Sequence, residues 1–415
     1  MYLFLKAEEM PDRRYPARQR RGAVQLLVDA ALAAGLFAAV GLVFLIDKKA
    51  PEKNDNAVQL TKVETPVEKP TVPPQRQLRL GVTPPAGGYD NMGGLLNSLG
   101  EGYKFTPFDL EDLREAEKIG NYDVIFLTCS GVPLTWLKDR IGESERKGAD
   151  DYTANEEILN HVAENLRHFV EQGHTLYASD LHYMLVARAF PELTDHALAQ
   201  RGKVQDINAE VIDDGLRELI GGEMPLKFDQ AGWYPAAFQG KDLTAYLRGK
   251  YATDSGGEQT APLMVKFPVH DGTVIFTSFH NEKQNSETEL KLLRYLVFSA
   301  VTAAVETKVE RTMVQGGFSP AKKNLFSASA GEPSATSVYH ADKSGQLQFV
   351  LGFQNAGAEL KLTVVGPDGK EHVQQGVSTI TIDLPDAPAG DWKYTVTALK
   401  LPNANFPFTV TVGQK

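Results

Sequence analysis

The sequence predicts an α/β domain built on a mainly parallel sheet, then an all-β sandwich, with a single transmembrane helix ahead of both. Three observations carry this. Between Leu78 and Val305 short apolar runs of β type alternate with amphipathic helical stretches, which is how a parallel sheet with helices on both faces is written. Beyond residue 340, short alternating strands follow one another at even spacing without helices. Near the start, Gly22–Ile46 is apolar, and no polar side chain occurs from Ala30 to Ile46.

The first 21 residues carry Lys6, Arg13, Arg14, Arg18, Arg20 and Arg21 against Glu8, Glu9 and Asp12, a basic arm. The apolar run 22–46 is long enough to cross a hydrocarbon core of ~30 Å as one helix. A cleaved signal peptide would need small residues at its end, where Phe44-Leu45-Ile46-Asp47-Lys48 stands instead. A buried helix of a soluble domain is the other alternative, and the basic arm and proline-rich tail on either side suit it poorly. Six basic residues before the run against Lys48, Lys49 and Lys53 after it predict an inner-membrane, single-pass chain with its N-terminus in the cytoplasm and its bulk outside, in a periplasm or the open exterior. Residues 47–77, with Pro51, Pro66, Pro70, Pro73 and Pro74, read as an extended tether.

The α/β domain, 78–305, opens with strand Leu78–Val82, helix Asp90–Leu99 with Asp90 as its N-cap, strand Tyr103–Phe108, and Tyr122–Thr128, apolar enough to be buried on both faces. Asn155–Gln172 places Ile158, Leu159, Val162, Leu166, Phe169 and Val170 on one helical stripe, closed by Gly173. Strand His174–Ser179 follows. Leu263–Phe267 and Thr273–Phe279 form a hairpin through His270-Asp271-Gly272, and a helix from Ser286 to about Val305 opens with the capping-box pair Ser286 and Glu289. Residues 306–340, rich in Ser, Ala, Gly and Lys, read as a second linker. The sandwich, 341–415, has strands at Leu347–Phe353, Glu359–Val365, Ser378–Leu384, Lys393–Leu399 and Phe408–Val412.

Composition limits the function. With 43 basic and 53 acidic residues the net charge is −10, and removing the arm and Asp29 leaves −12 on residues 47–415, against nucleic acid as the partner of those domains. Cys129 is the sole cysteine, so no internal disulfide or thiolate cluster can form. Ligands of open α/β sheets bind at the carboxyl ends of the strands. There the sequence offers Cys129 and Ser130, then Ser179, Asp180 and His182, then His280, Asn281 and Glu282. These are the candidate ligand-binding and catalytic residues. No His-Glu-x-x-His spacing supports a metal, which would require His182, His280 and Asp180 or Glu282 to meet in space, and no cofactor is expected. Gly88 and Gly93 have the first spacing of a P-loop, but Gly94 and Leu95 stand where its Lys and Ser/Thr belong. Asp383, Asp386 and Asp391 could offer oxygens to calcium or simply form turns.

The segments YDVIFLTCSG, ENLRHFVEQGHTLYASDLH and GTVIFTSFHNE resemble the class I glutamine amidotransferase-like superfamily, including its trehalose-utilisation (ThuA-like) branch, over about residues 78–305. The resemblance implies a flavodoxin-like sheet and, in active members, a Cys on a tight strand-to-helix elbow, a His that takes its proton and a Glu that orients the His. His280-x-Glu282 looks like the His-x-Glu pair. The family's Cys belongs on the strand matching His174–Ser179, where this chain has Ser179 and Asp180, and its only Cys sits one strand earlier without Gly-x-Cys-x-Gly surroundings. LKLTVVGPDG and AGDWKYTVTA resemble Ig-like sandwich modules, which usually act as spacers or protein-contact surfaces. The expectation is a membrane-anchored binding or scaffold protein with protein partners and room for a small-molecule ligand. The alternative is a hydrolase or amidotransferase-like enzyme using His280 and Glu282 with Cys129 or a metal.

Overall fold

The computed structural model describes residues 2–3, 78–85, 90–139, 152–328, 335–353, 357–402 and 406–415. The expected transmembrane helix 22–46, the tether 47–77 and the basic arm, apart from Tyr2–Leu3, lie outside the described residues. Among the described residues, no helix is long and apolar enough to cross a membrane.

The α/β domain is organised on one nine-stranded sheet. Its strands are β1 (Leu80–Val82), β2 (Phe105–Pro107), β3 (Val124–Leu127), β4 (Thr175–Ser179), β5 (Gln205–Val211), β6 (Glu223–Phe228), β7 (Thr244–Ala252), β8 (Glu258–Val269) and β9 (Gly272–Thr277), in the order β6-β5-β7-β8-β9-β4-β3-β1-β2. The strands from β9 through β4, β3 and β1 to β2 run parallel, and the other four add on antiparallel. The sheet is therefore mixed where a mainly parallel one was expected. The physical reason is visible in β5 and β6, whose side chains alternate between buried and exposed, the mark of antiparallel strands with one wet face. By contrast β3, β4 and β9 are buried at every position. Tyr2–Leu3 forms a separate two-residue antiparallel ladder with Val132–Pro133.

The helices are α1 (Met92–Leu99), α2 (Ala116–Ile119), α3 (Glu156–Glu171), α4 (Tyr183–Ala189), α5 (Asp214–Ile220) and α6 (Glu287–Gln315). They complete two cores: one around Leu96, Phe126, Tyr177 and Leu296, the other around Leu166, Phe169, Val186 and Phe276. The capping box opens α6 as predicted, Ser286 Oγ accepting from the Glu289 N–H at 3.3 Å while Glu289 Oε2 accepts from the Ser286 N–H at 2.5 Å. The β8–β9 turn puts His270 in the left-handed region at φ 49°. Gly272 follows it because a Cβ there would sit 2.0 Å from the Val170 carbonyl oxygen.

Where a linker was expected over 306–340, the described residues hold regular structure: α6 continues to Gln315, strand β10 (Ser319–Ala328) follows, and β11 starts at Thr336. The apolar residues Val309 and Met313 explain the extra turns, since both are buried against Val350 of the sandwich. The sandwich comprises β11 (Thr336–Ala341), β12 (Gly345–Gly352), β13 (Glu359–Val365), β14 (Glu371–Gly376), β15 (Ile380–Ala387), β16 (Gly390–Lys400) and β17 (Phe406–Gln414) together with β10. Two four-stranded antiparallel sheets, β10-β17-β12-β15 and β11-β16-β13-β14, enclose an apolar core containing Phe349, Leu362, Trp392, Tyr394 and Phe408. Asp383 accepts from Gln348, and Asp391 pairs with His340, so both carboxylates are engaged within the sandwich.

Candidate functional site

Three neighbouring parallel strands, β3, β4 and β9, end at one edge of the sheet. Leu127 stands level with Ala178, and Ser179 with Thr277. The residues that follow them therefore meet: Thr128-Cys129-Ser130, Asp180-Leu181-His182 and Ser278-Phe279-His280-Asn281.

Asp90 ties these ends together. It is fully buried, and Asn91, not Asp90, is the N-cap of α1, its Oδ1 accepting from the Gly94 N–H at 2.8 Å. The Asp90 carboxylate instead accepts from Ser179 Oγ at 2.6 Å and the Cys129 N–H at 3.1 Å on Oδ2, and from the Asn281 N–H at 3.0 Å on Oδ1. One side chain thus reaches all three strand ends. Ser179 Oγ also accepts from the Cys129 N–H at 2.9 Å, and Asn281 Oδ1 from the Asn91 N–H at 2.7 Å.

Around this hub Cys129, Asp180 and His280 come into contact, each no more than 5% exposed. His280 Nε2 lies 3.3 Å from Cys129 Sγ and 3.0 Å from Asp180 Oδ2, and the thiol is 3.7 Å from that same oxygen. The far side of the imidazole is held by Asp229, whose Oδ1 is 3.1 Å from Nδ1. Asp180 Oδ1 accepts from the Tyr234 N–H at 2.9 Å. Burial disfavours a charged imidazole, but the hydrogen bond to Asp180 and its charge, the charge of Asp90 and the bond to Asp229 outweigh it and raise His280 to about 9. Burial pushes the Cys129 thiol up, and the charges of Asp180 and Asp90 push it further. At neutral pH the cluster holds a thiol and an imidazolium, the reverse of an activated nucleophile and its base.

Asp180 has φ 41°, in the left-handed region, immediately after β4. That strained strand-to-helix turn carries a carboxylate at its first residue.

The other sequence candidates fall as follows. His182 is buried, and its Nε2 donates to the Thr128 carbonyl at 2.9 Å, with Ser130 Oγ at 3.5 Å. Burial lowers it to about 4, so it is a neutral ring pinned to backbone and does not join His280. Glu282 is exposed, and Asp229 holds His280 in place of the expected Glu. Sequence reasoning listed Cys129, Ser179, Asp180, His280 and Asn281, and missed Asp90 as the hub and Asp229 as the partner of the ring. In the sequence Asp90 shows only as an acid at a helix start, and Asp229 follows a strand, Glu223–Phe228, whose pattern Pro225 interrupts.

No family model and no curated protein matches the chain. Among solved structures, the chain is similar at low identity to a glutamine amidotransferase, among others. That protein, from Thermotoga maritima, is 10% identical with a TM-score of 0.30, the match covering 58% of this chain and 94% of the other. Two cytoplasmic proteins of Salmonella typhimurium, each 13% identical, have TM-scores of 0.29 and 0.31, covering 52% and 54% of this chain and 98% and 96% of theirs.

Proposed function

We propose that the α/β domain is a binding module on an amidotransferase-like framework, carried with an Ig-like contact module on a single-pass anchor. One observation carries this reading: the strained turn after β4 bears Asp180, and the chain's only thiol is buried between Asp180 and Asp90, where burial and both carboxylates oppose its ionisation. The full-length chain should not turn over amide, ester or glycoside substrates. Turnover that disappears in both His280→Ala and Asp229→Asn would overturn the reading.

The anchor has its own test. An N-in crossing at 22–46 would place Tyr2–Leu3 and Val132–Pro133 on opposite sides of a bilayer, whereas the structure pairs them, so the ladder counts against the anchor and the two are alternatives. Protease added to spheroplasts, stripped of any outer envelope, should digest the α/β domain and spare the N-terminal arm; protection of both would remove the anchor.

A second reading is favoured by the strained φ of Asp180 with His280 and Asp229 behind it. A carboxylate at that turn could attack an electrophilic carbon, expelling a leaving group and forming an ester. Esterification removes the Asp180 charge that raises His280, so the imidazolium passes its proton to the departing group and, now neutral, takes one from water, which hydrolyses the ester at the Asp180 carbonyl carbon, restoring the carboxylate and releasing the alcohol product. Single-turnover hydrolysis in heavy-oxygen water would leave label on Asp180; none would be found if the domain only binds.

A further inference from the structure

The same cluster has a second chemical capacity, and the inference rests on the binding reading of this rim. We propose that Cys129 Sγ, Asp180 Oδ2 and His280 Nε2 form a three-ligand site for a divalent transition metal of the zinc class, with Asp229 as the positioning residue for the imidazole and one coordination place left open.

The geometry comes first. The three donor atoms are separated by 3.0, 3.3 and 3.7 Å. Tetrahedral coordination with bonds of about 2.0–2.3 Å requires donors about 3.3–3.8 Å apart, so the triangle needs adjustments of only a few tenths of an ångström to become one face of a metal tetrahedron. All three residues are buried, which separates the cluster from the exposed acidic groupings common on protein surfaces. They come from three adjacent strands whose ends are fixed by Asp90, so the donor set is preorganised.

Donor chemistry then selects the ion. One thiolate, one imidazole and one carboxylate suit zinc or cobalt; magnesium and calcium prefer all-oxygen cages. His280 bonds through Nδ1 to a carboxylate and turns Nε2 to the ligand triangle, the arrangement that fixes the tautomer of metal-bound histidines.

Coordination takes the sulfur as thiolate and Nε2 as a lone-pair donor, so any proton on either atom leaves to water as the ion binds, and affinity should fall as pH is lowered.

Cobalt(II), added to the full-length chain after chelator treatment, tests the site. One equivalent should bind, with a thiolate-to-cobalt charge-transfer band and the visible absorption of a tetrahedral ion, and zinc should displace it. Cys129→Ser should abolish the charge-transfer band. Asp229→Asn should keep the band but weaken affinity about 10- to 100-fold, and it decides the matter if the Cys129 variant does not fold. Glu282→Gln should bind as the parent does. No charge-transfer band at saturation, or an unchanged affinity in Asp229→Asn, would overturn the site while leaving the binding reading in place. Turnover of the amide, ester and glycoside panel by the same preparation would overturn the binding reading while leaving the site.

Discussion

The two halves of the described chain treat buried polar groups in opposite ways. The sandwich encloses an apolar core whose buried polar side chains, among the described residues, are Thr409 and Thr411. Its His340–Asp391 pair stays at the surface. The α/β domain buries Asp90, Asp180, His182, His280 and Asn281 at one sheet edge, and elsewhere buries Glu306 against a partly buried Lys266. The ion pair is balanced, Lys266 Nζ lying 3.0 and 3.1 Å from the two Glu306 oxygens, whereas the rim sets Asp90, Asp180 and Asp229 around His280, with Lys283 reaching only the outer oxygen of Asp229 at 3.6 Å. Buried charge is expensive, and a hydrophobic core folds without it. An unbalanced cluster at the ligand-binding end of a sheet is therefore better explained by what it holds than by stability.

Substitutions in the two halves should separate these designs. The largest loss is expected in the sandwich: Phe349→Ala removes a fully buried ring that packs 5.7 Å from Tyr394, and should cost about 3–5 kcal/mol in urea unfolding. Asp90→Ala comes next. It removes the carboxylate that accepts from the Ser179 hydroxyl and the Asn281 N–H, and one of the two acceptors of the Cys129 N–H, and should cost about 3 kcal/mol, measured the same way. A cost below about 1 kcal/mol would mean that Asp90 does not organise the rim.

A smaller effect has opposite signs in the two halves. Thr411 Oγ1 is buried with no hydrogen-bond partner among the described residues, so Thr411→Val should stabilise by about 1 kcal/mol. Ser179→Ala, which breaks bonds to Asp90 and Cys129, should destabilise by about 1–2 kcal/mol. Equal signs would erase the contrast.

The smallest effect concerns pH. The hydrogen bond to Asp391, together with its charge and that of Asp342, raises His340 above the ordinary histidine value. A raised folded value means that its stabilisation is fully present below pH ~6.5 and fades as pH rises through the higher folded value. The His340 ring resonances should titrate above those of a free histidine and return toward that value in Asp391→Asn.

Legibility in the sequence followed the range of the interaction. β3 and α3 were readable because VIFL and the Leu159–Val162–Leu166 stripe encode burial within a few residues, and the Ser286–Glu289 box is equally local. β5 to β7 were missed: Pro225 interrupts β6, and β7 changes register against β8 at Ala245 and Leu247, which blurs any period of two. At the site, strand-end logic found Cys129, Asp180 and His280, because position along each strand is a local property. It chose Glu282 over Asp229 because a spacing of two is visible in sequence, whereas Asp229 reaches His280 across 51 residues.

The α6 helix has a mechanical meaning. At 29 residues it is about 44 Å long. Its first half belongs to the α/β core through Leu292 and Leu296, and its last turns present Val309 and Met313 to Val350 of the sandwich. One rigid rod is thus clamped in both cores. A twist applied to the sandwich would reach the α/β domain as rotation of a shaft. A chain divided at residue 305, where the composition changes, would cut that shaft and expose the grip on one side.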